Sequence, residues 1–181
     1  PVYLEISDDK CNIRDASHIW GKDAYEVNDI LKQEIDENAK IAAIGQAGEN
    51  LSKISGVTLD GNIARMAARG GSGAILGSKN LKAIVVNGNK KLEIFDRDGL
   101  KELFKEDIPK IKDFAKGLSE FGTAGGAPAV EAFGDLPIKN WQLGSWKDEI
   151  IKISGQMIRE KIWVKHYHCF ACPIGCAKII E

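Results

Sequence analysis

Apolar and polar residues alternate along Val2-Tyr3-Leu4-Glu5-Ile6, with Val2, Leu4 and Ile6 on one side, the two-residue period of a half-buried strand. The polar run Ser7-Asp8-Asp9-Lys10 then predicts a turn into a second strand. Between Ala24 and Asn38 the period becomes helical: Val27, Ile30, Leu31 and Ile35 share one face, Asp23 opens the helix and Glu37-Asn38 suits its end. Two continuous apolar runs, Ile41 to Ile44 and Ala83 to Val86, read as buried strands. The first feeds a glycine-punctuated loop, Gly45 to Asn50, and the second stops at Asn87-Gly88.

From Phe95 the strand pattern gives way to a long helical one, with Leu100, Leu103, Phe104, Ile108, Ile111, Phe114 and Leu118 on one face and Pro109 expected to kink or divide it. A glycine- and proline-rich stretch follows, including Gly122 to Gly126 and Leu136 to Trp141, and a short helical pattern returns at Gln156 to Ile162. The predicted class is α+β, with a boundary near residues 88 to 96.

Composition adds little to this picture. The 181 residues are 44% hydrophobic and 28% charged, ordinary for a globular chain, and a net charge of -1 gives no global attraction to nucleic acid or anionic membrane. No apolar run reaches the roughly 18 residues of a membrane span, and Pro1 to Ser7 reads as a strand rather than a signal peptide. A cytoplasmic protein is expected.

The cysteines change more. Cys169, Cys172 and Cys176 lie in one short run, CFACPIGC, and thiolates at these gaps suit three ligands of an iron–sulfur cluster whose fourth comes from elsewhere. Structural zinc and a redox dithiol are the alternatives, although zinc would call for a second Cys pair or two well-placed histidines, which His166 and His168 do not provide. Cys11 stands alone and reads as a small buried hydrophobe.

A second informative stretch runs from Arg65 to Lys82, RMAARGGSGAILGSKNLK. Its glycines allow close approach of backbone to an anion, amides at a helix start can point at a phosphate, and Arg65 and Arg69 bring fixed charge. It is neither a Walker motif nor a dinucleotide fingerprint. A tight turn into a strand, with solvated arginines, is the plainer reading. Glu49 and Asp60 lie near these loops and read as turn-capping or water-facing carboxylates, and His18, His166 and His168 as structural or supporting groups.

The GQAGENL loop (Gly45 to Leu51), the Arg65 to Ile84 run, the GTAG segment, LPIKNWQ and CFACPIGC, in this order, resemble the tungsten-dependent aldehyde ferredoxin oxidoreductase family. The resemblance spans nearly the whole chain. It implies a tungsten or molybdenum centre held by two pterins, a magnesium ion bridging the pterin phosphates, and a 4Fe-4S cluster passing electrons to ferredoxin as aldehydes become carboxylic acids. Residues 1–92 would be the later portion of a β-rich base domain built from two sheets beneath the bis-pterin, and 93–181 the start of a mainly helical, cluster-bearing domain.

By motif matching, Arg65, Met66, Ala68, Arg69 and Gly70 would touch the pterin phosphates and magnesium, and Cys169, Cys172 and Cys176 would ligate the cluster. Met66 stands where the family tends to have alanine, a change that a backbone carbonyl contact survives. Family members are longer, so the chain is expected to be an internal fragment lacking the fourth cluster cysteine, and inactive alone. The expected partners are ferredoxin and a small aldehyde, in a homo-oligomer or larger redox complex, with neither nucleic acid nor membrane. A reductase subunit of the benzoyl-coenzyme A reductase type, or a non-catalytic iron–sulfur module, are the competing functions. No residue reads as a catalytic acid or base.

Overall fold

In the computed structural model, which describes residues 1–59, 61 and 65–181, the chain divides between Glu93 and Ile94 into two units. The first holds β1 (Val2–Ser7), β2 (Lys10–Asp15), α1 (Ala24–Glu34), β3 (Lys40–Ala43), α2 (Gln46–Glu49), β4 (Val57–Leu59), β5 (Arg65–Ala67), α3 (Ser72–Ser78) and β6 (Leu81–Val86). Its strands form one six-stranded sheet in the order β2-β1-β6-β3-β4-β5, where the resemblance implied two sheets. Among the described residues only β1 and β6 pair in parallel.

Register decides which face of this sheet becomes core. Tyr3, Ala83 and Ala43 form one row, and Val85 with Ile41 continues the same face beneath Val27 and Leu31 of α1. Leu4, Ile84 and Ala42 occupy the opposite, half-buried face. The expected alternation is present, but Tyr3, not the Val2/Leu4/Ile6 set, enters the core. Helix α1 covers the Tyr3 side, so Tyr3 is buried although Glu5 and Ser7 share its face.

Helix α1 begins with a capping box: the amides of Tyr25 and Glu26 donate to Asp23 Oδ1 (2.8 and 2.9 Å), and the Asp23 amide donates to Glu26 Oε2 (3.1 Å). It stops at Glu34, four residues short of the expected Asn38. The Asn38 amide donates to Asp36 Oδ1 (2.7 Å), a side-chain turn that competes with another helical turn. Gly45 to Asn50, expected as a loop, contains the single helical turn of α2.

The second unit contains α4 (Arg97–Phe114), α5 (Lys116–Phe121), α6 (Ala127–Ala132), α7 (Gly155–Lys161) and a hairpin of β7 (Trp163–Tyr167) with β8 (Ala177–Ile180). Single-turn helices at Thr123–Gly126 and Lys147–Ile153 connect them. The chain is α+β as expected, although the hairpin was not foreseen. Helix α4 runs through Pro109 without division and breaks at Ala115, whose amide still donates to Ile111 (2.9 Å). The apolar face read from sequence exists, yet no residue of α4 is buried. No helix among the described residues is long and apolar enough to cross a membrane.

Candidate functional site

The arginine segment is three structures in succession. Arg65 to Ala67 form β5 at the sheet edge, paired with β4 through Arg65–Leu59, Met66–Thr58 and Ala67–Val57; Ala68 to Gly71 turn; Ser72 begins α3. Arg65 is half-buried at the strand's start, whereas Met66, Ala68, Arg69 and Gly70 are exposed. Gly70 has φ +78°, and a methyl group placed there would meet nothing within 4 Å. Gly71, at φ +69°, faces the Lys53 carbonyl, which a side chain would reach at 2.6 Å.

The remaining glycines serve the protein's own packing rather than a ligand. A methyl at Gly73 would lie 2.6 Å from the Gly56 carbonyl, and one at Gly77 would overlap the Gly48 carbonyl, so α3 lies backbone to backbone against α2. Nor does the start of α3 offer a phosphate nest: the Gly73 amide donates to Ser55 (3.1 Å), and those of Ala74 and Ile75 donate to Gly71 (3.0 and 3.3 Å). The cradle expected along the whole segment therefore narrows to the exposed turn Ala68-Arg69-Gly70. An open glycine backbone beside a solvent-facing guanidinium fits a phosphate-bearing cofactor.

The same unit contains a buried ion pair that the sequence reading missed. Lys82 on β6 is fully buried and Glu49 nearly so; the ammonium donates to Glu49 Oε1 and to the Lys22 carbonyl (2.7 Å). Glu49 also accepts from the Gly21 amide (3.0 Å), and the Lys82 ammonium lies 5.9 Å from the centre of the Trp20 ring. Glu49 is thus neither a turn cap nor a water-facing carboxylate. The available signal was a charged residue inside the buried run Leu81 to Val86. Asp60 lies outside the described residues, and His18 makes an exposed contact with Glu34 (3.2 Å).

The cysteines occupy the loop of the β7–β8 hairpin, with Cys169 exposed and Cys172 and Cys176 half-buried. The Cys172 amide donates to the Cys169 carbonyl (3.0 Å) and His168 Nδ1 donates to the Cys172 carbonyl (3.0 Å). Gly175 has φ +65° and sits against the His168 ring, which leaves no room for a side chain. Lys178 donates to the Ser119 carbonyl, to His166 Nδ1 (2.9 Å) and to the Gly175 carbonyl (3.3 Å), tying the loop to α5. Burial, and then the charge of Arg159, push Lys178 below the usual lysine value. His166 and His168 are therefore supports for the loop backbone.

Among the described residues no three His, Cys, Asp or Glu side chains converge at single-ion distance. Three thiols on one braced loop are donors of the kind a cubane cluster takes, one thiolate to each iron. Cys11 lies exposed on the edge strand β2 of the other unit, not buried as expected of a lone cysteine.

Near Leu136 to Trp141 a cavity of about 500 Å³ is lined by Ala127, Leu136, Ile138, Trp146, Ile150 and Ile153 among others. Lys139, which lines it, begins a run of three consecutive left-handed residues with Asn140 and Trp141 (φ +46°, +56°, +60°), all exposed. Glu131 of α6 holds the next loop: its Oε1 accepts from Ser145 Oγ (2.6 Å), the Trp146 amide (2.5 Å) and the Lys147 amide (3.0 Å).

Comparison with known proteins covers both units. The family model described as aldehyde ferredoxin oxidoreductase, N-terminal domain, matches residues 1–88, and that for domains 2 and 3 of the same family matches residues 100–181. Tungsten-containing aldehyde ferredoxin oxidoreductases of Pyrococcus horikoshii and Pyrococcus furiosus are 42% and 41% identical over 99% of this chain, which spans 30% of their length. A Pyrococcus furiosus aliphatic sulfonate oxidoreductase, WOR-like subunit, is 32% identical over a similar span. The active-site complex BamBC of benzoyl coenzyme A reductase superposes with a TM-score of 0.77 at 30% identity, covering 99% of this chain and 29% of that one. With both halves matched in order by the two models and whole-chain identity above 40%, this chain belongs to the aldehyde ferredoxin oxidoreductase family.

Proposed function

We propose that this chain is part of a tungsten-dependent oxidoreductase that converts aldehydes to carboxylic acids and passes the electrons, through a 4Fe-4S cluster, to ferredoxin. The observation that carries this reading is the 42% identity, over 99% of the chain, to proteins named for tungsten and aldehyde. When bound, a tungsten or molybdenum bis-pterin supplies two-electron chemistry at the substrate carbon and the cluster supplies one-electron transfer.

The chain's own residues hold rather than react. Arg69, with Arg65 at the strand start, would anchor pterin phosphates, and the backbone of Met66, Ala68 and Gly70 would meet those phosphates and the magnesium between them. Cys169, Cys172 and Cys176 would ligate the cluster, with His168 and Lys178 fixing the carbonyls between them. Acid or base chemistry, and the fourth cluster ligand, fall to residues outside this set. A cytoplasmic location and assembly into an oligomer or larger redox complex belong to the same reading.

The test is aldehyde-dependent viologen reduction by the complete gene product, together with metal analysis. Tungsten or molybdenum with iron, acid-labile sulfide and aldehyde turnover supports the reading; iron and sulfide alone would sink it. The likeness to BamBC favours one second reading, a reductase subunit in a larger assembly. A metal-loaded protein inert toward all simple aldehydes would favour that alternative.

A further inference from the structure

We infer that the face formed by the end of α4, the start of α5 and the tip of the cysteine loop is the docking surface for an acidic protein electron acceptor. This inference rests on the proposed electron exit through the cysteine loop and adds where the acceptor binds. A cavity of about 360 Å³ lies against the loop, lined by Lys112, Lys116, Arg159, His166 and His168 with Glu120 as its sole carboxylate, and closed on the loop side by Pro173 and Ile174. No ion pair to Lys112, Lys116 or Arg159 is present among the described residues, while Lys110 nearby is held by Glu106 and Asp107. The cavity thus holds an excess of positive charge that the second unit does not itself neutralise.

An apolar groove adjoins it. Ile111, Phe114, Leu118 and Ile174 line that groove, and Phe114 is 95% exposed. Phe170, between the first two cysteines, is fully exposed as well. Apolar anchors beside an unpaired cationic patch are the composition of a protein interface, with the charge steering encounter and the anchors fixing the pose. Ile174 borders both surfaces and lies between Cys172 and Cys176, so a partner seated here touches the loop that would hold the cluster. Charge complementarity beside a few apolar anchors suits a transient redox encounter. The occupant that fits is a small acidic iron–sulfur protein, with carboxylates entering the Lys112/Lys116 cavity.

The experiment uses the complete holoenzyme, a purified acidic 4Fe-4S ferredoxin, and the double variant Lys112→Glu/Lys116→Glu. Both lysines are exposed on helix surfaces, so the fold tolerates the change. Calorimetric titration of ferredoxin is expected to show binding weakened about 10-fold or more by charge reversal, and weakened by added salt in the wild type. Ferredoxin-linked turnover should show the same rise in KM while viologen-linked aldehyde oxidation is unchanged. Unaltered ferredoxin binding in the variant, salt-insensitive binding, or equal competition by single-stranded DNA would overturn the inference. Loss of viologen-linked turnover in the wild type would instead sink the proposed function, and the binding titration would still decide the docking surface.

Discussion

Lys82 Nζ and Glu49 form an ion pair that is closed to solvent, with side-chain exposures of 0% and 6%, and it joins the strand that follows the arginine segment to the helical turn on which α3 packs. Removing one partner leaves the other charge buried and uncompensated, which costs about 3–5 kcal/mol. Lys82→Met and Glu49→Gln should therefore each lower the urea midpoint of unfolding substantially. The double variant Lys82→Met/Glu49→Gln should lose less than the sum of the two singles, and losses that add or exceed that sum would show that the pair is not the coupling.

Glycines of one segment should differ sharply in their tolerance of alanine. Gly77→Ala drives a methyl into the Gly48 carbonyl and should destabilise by about 3 kcal/mol or more, whereas Gly70→Ala meets open space and bears only the left-handed backbone cost of about 1–2 kcal/mol. Thermal melts of the two variants check the ranking. Arg69→Ala, at an exposed position, should leave the melt unchanged while lowering tungsten and pterin content in the complete protein.

Iron retention should follow the hairpin loop. Cys169→Ser, Cys172→Ser and Cys176→Ser should each lose most iron and sulfide, and Cys11→Ser should lose none. His168→Ala removes the donor to the Cys172 carbonyl and should weaken retention against a chelator by about 10–100-fold without touching a ligand. Iron analysis with EPR spectra of the reduced protein distinguishes a lost cluster from a distorted one.

Acid stability should carry the signature of Glu131. The Ser145 hydroxyl, followed by the Trp146 and Lys147 amides, holds this carboxyl below its ordinary value of 4.5. A depressed folded-state value means the contribution is fully present above that ordinary value and is lost as pH falls through the lower one. Glu131→Gln should be less stable at neutral pH and show a shallower decline on acidification, measured as denaturation midpoint against pH. Parallel curves for the two proteins would remove Glu131 as the cause.

Much of the architecture was written locally. The start of α1 at Asp23, the helical face of Val27 and Leu31, and the buried runs around Ile41 and Val85 are legible because neighbouring residues alone create those signals. The α1 end was misread because Asp36 offers the Asn38 amide a competing partner, and helix periodicity carries no trace of that competition. Phe114 and Leu118 were correctly placed on an apolar face, but a pattern shows amphipathicity and not what covers it.

The candidate sites divide in the same way. Cys169, Cys172 and Cys176 are adjacent in sequence, so their common loop follows from spacing; Arg69 and Gly70 likewise share one turn whatever the fold around them. Sequence by itself therefore determined the family, much of the secondary-structure pattern and which candidate residues share one loop or turn. Tertiary structure decided which glycines lie open and which face Gly48 or Gly56, that Glu49 of α2 answers Lys82 of β6, and that Lys178 braces the cysteine loop through Ser119. The last two join residues 33 and 59 positions apart, and distances of that kind are set by packing, which no local pattern encodes.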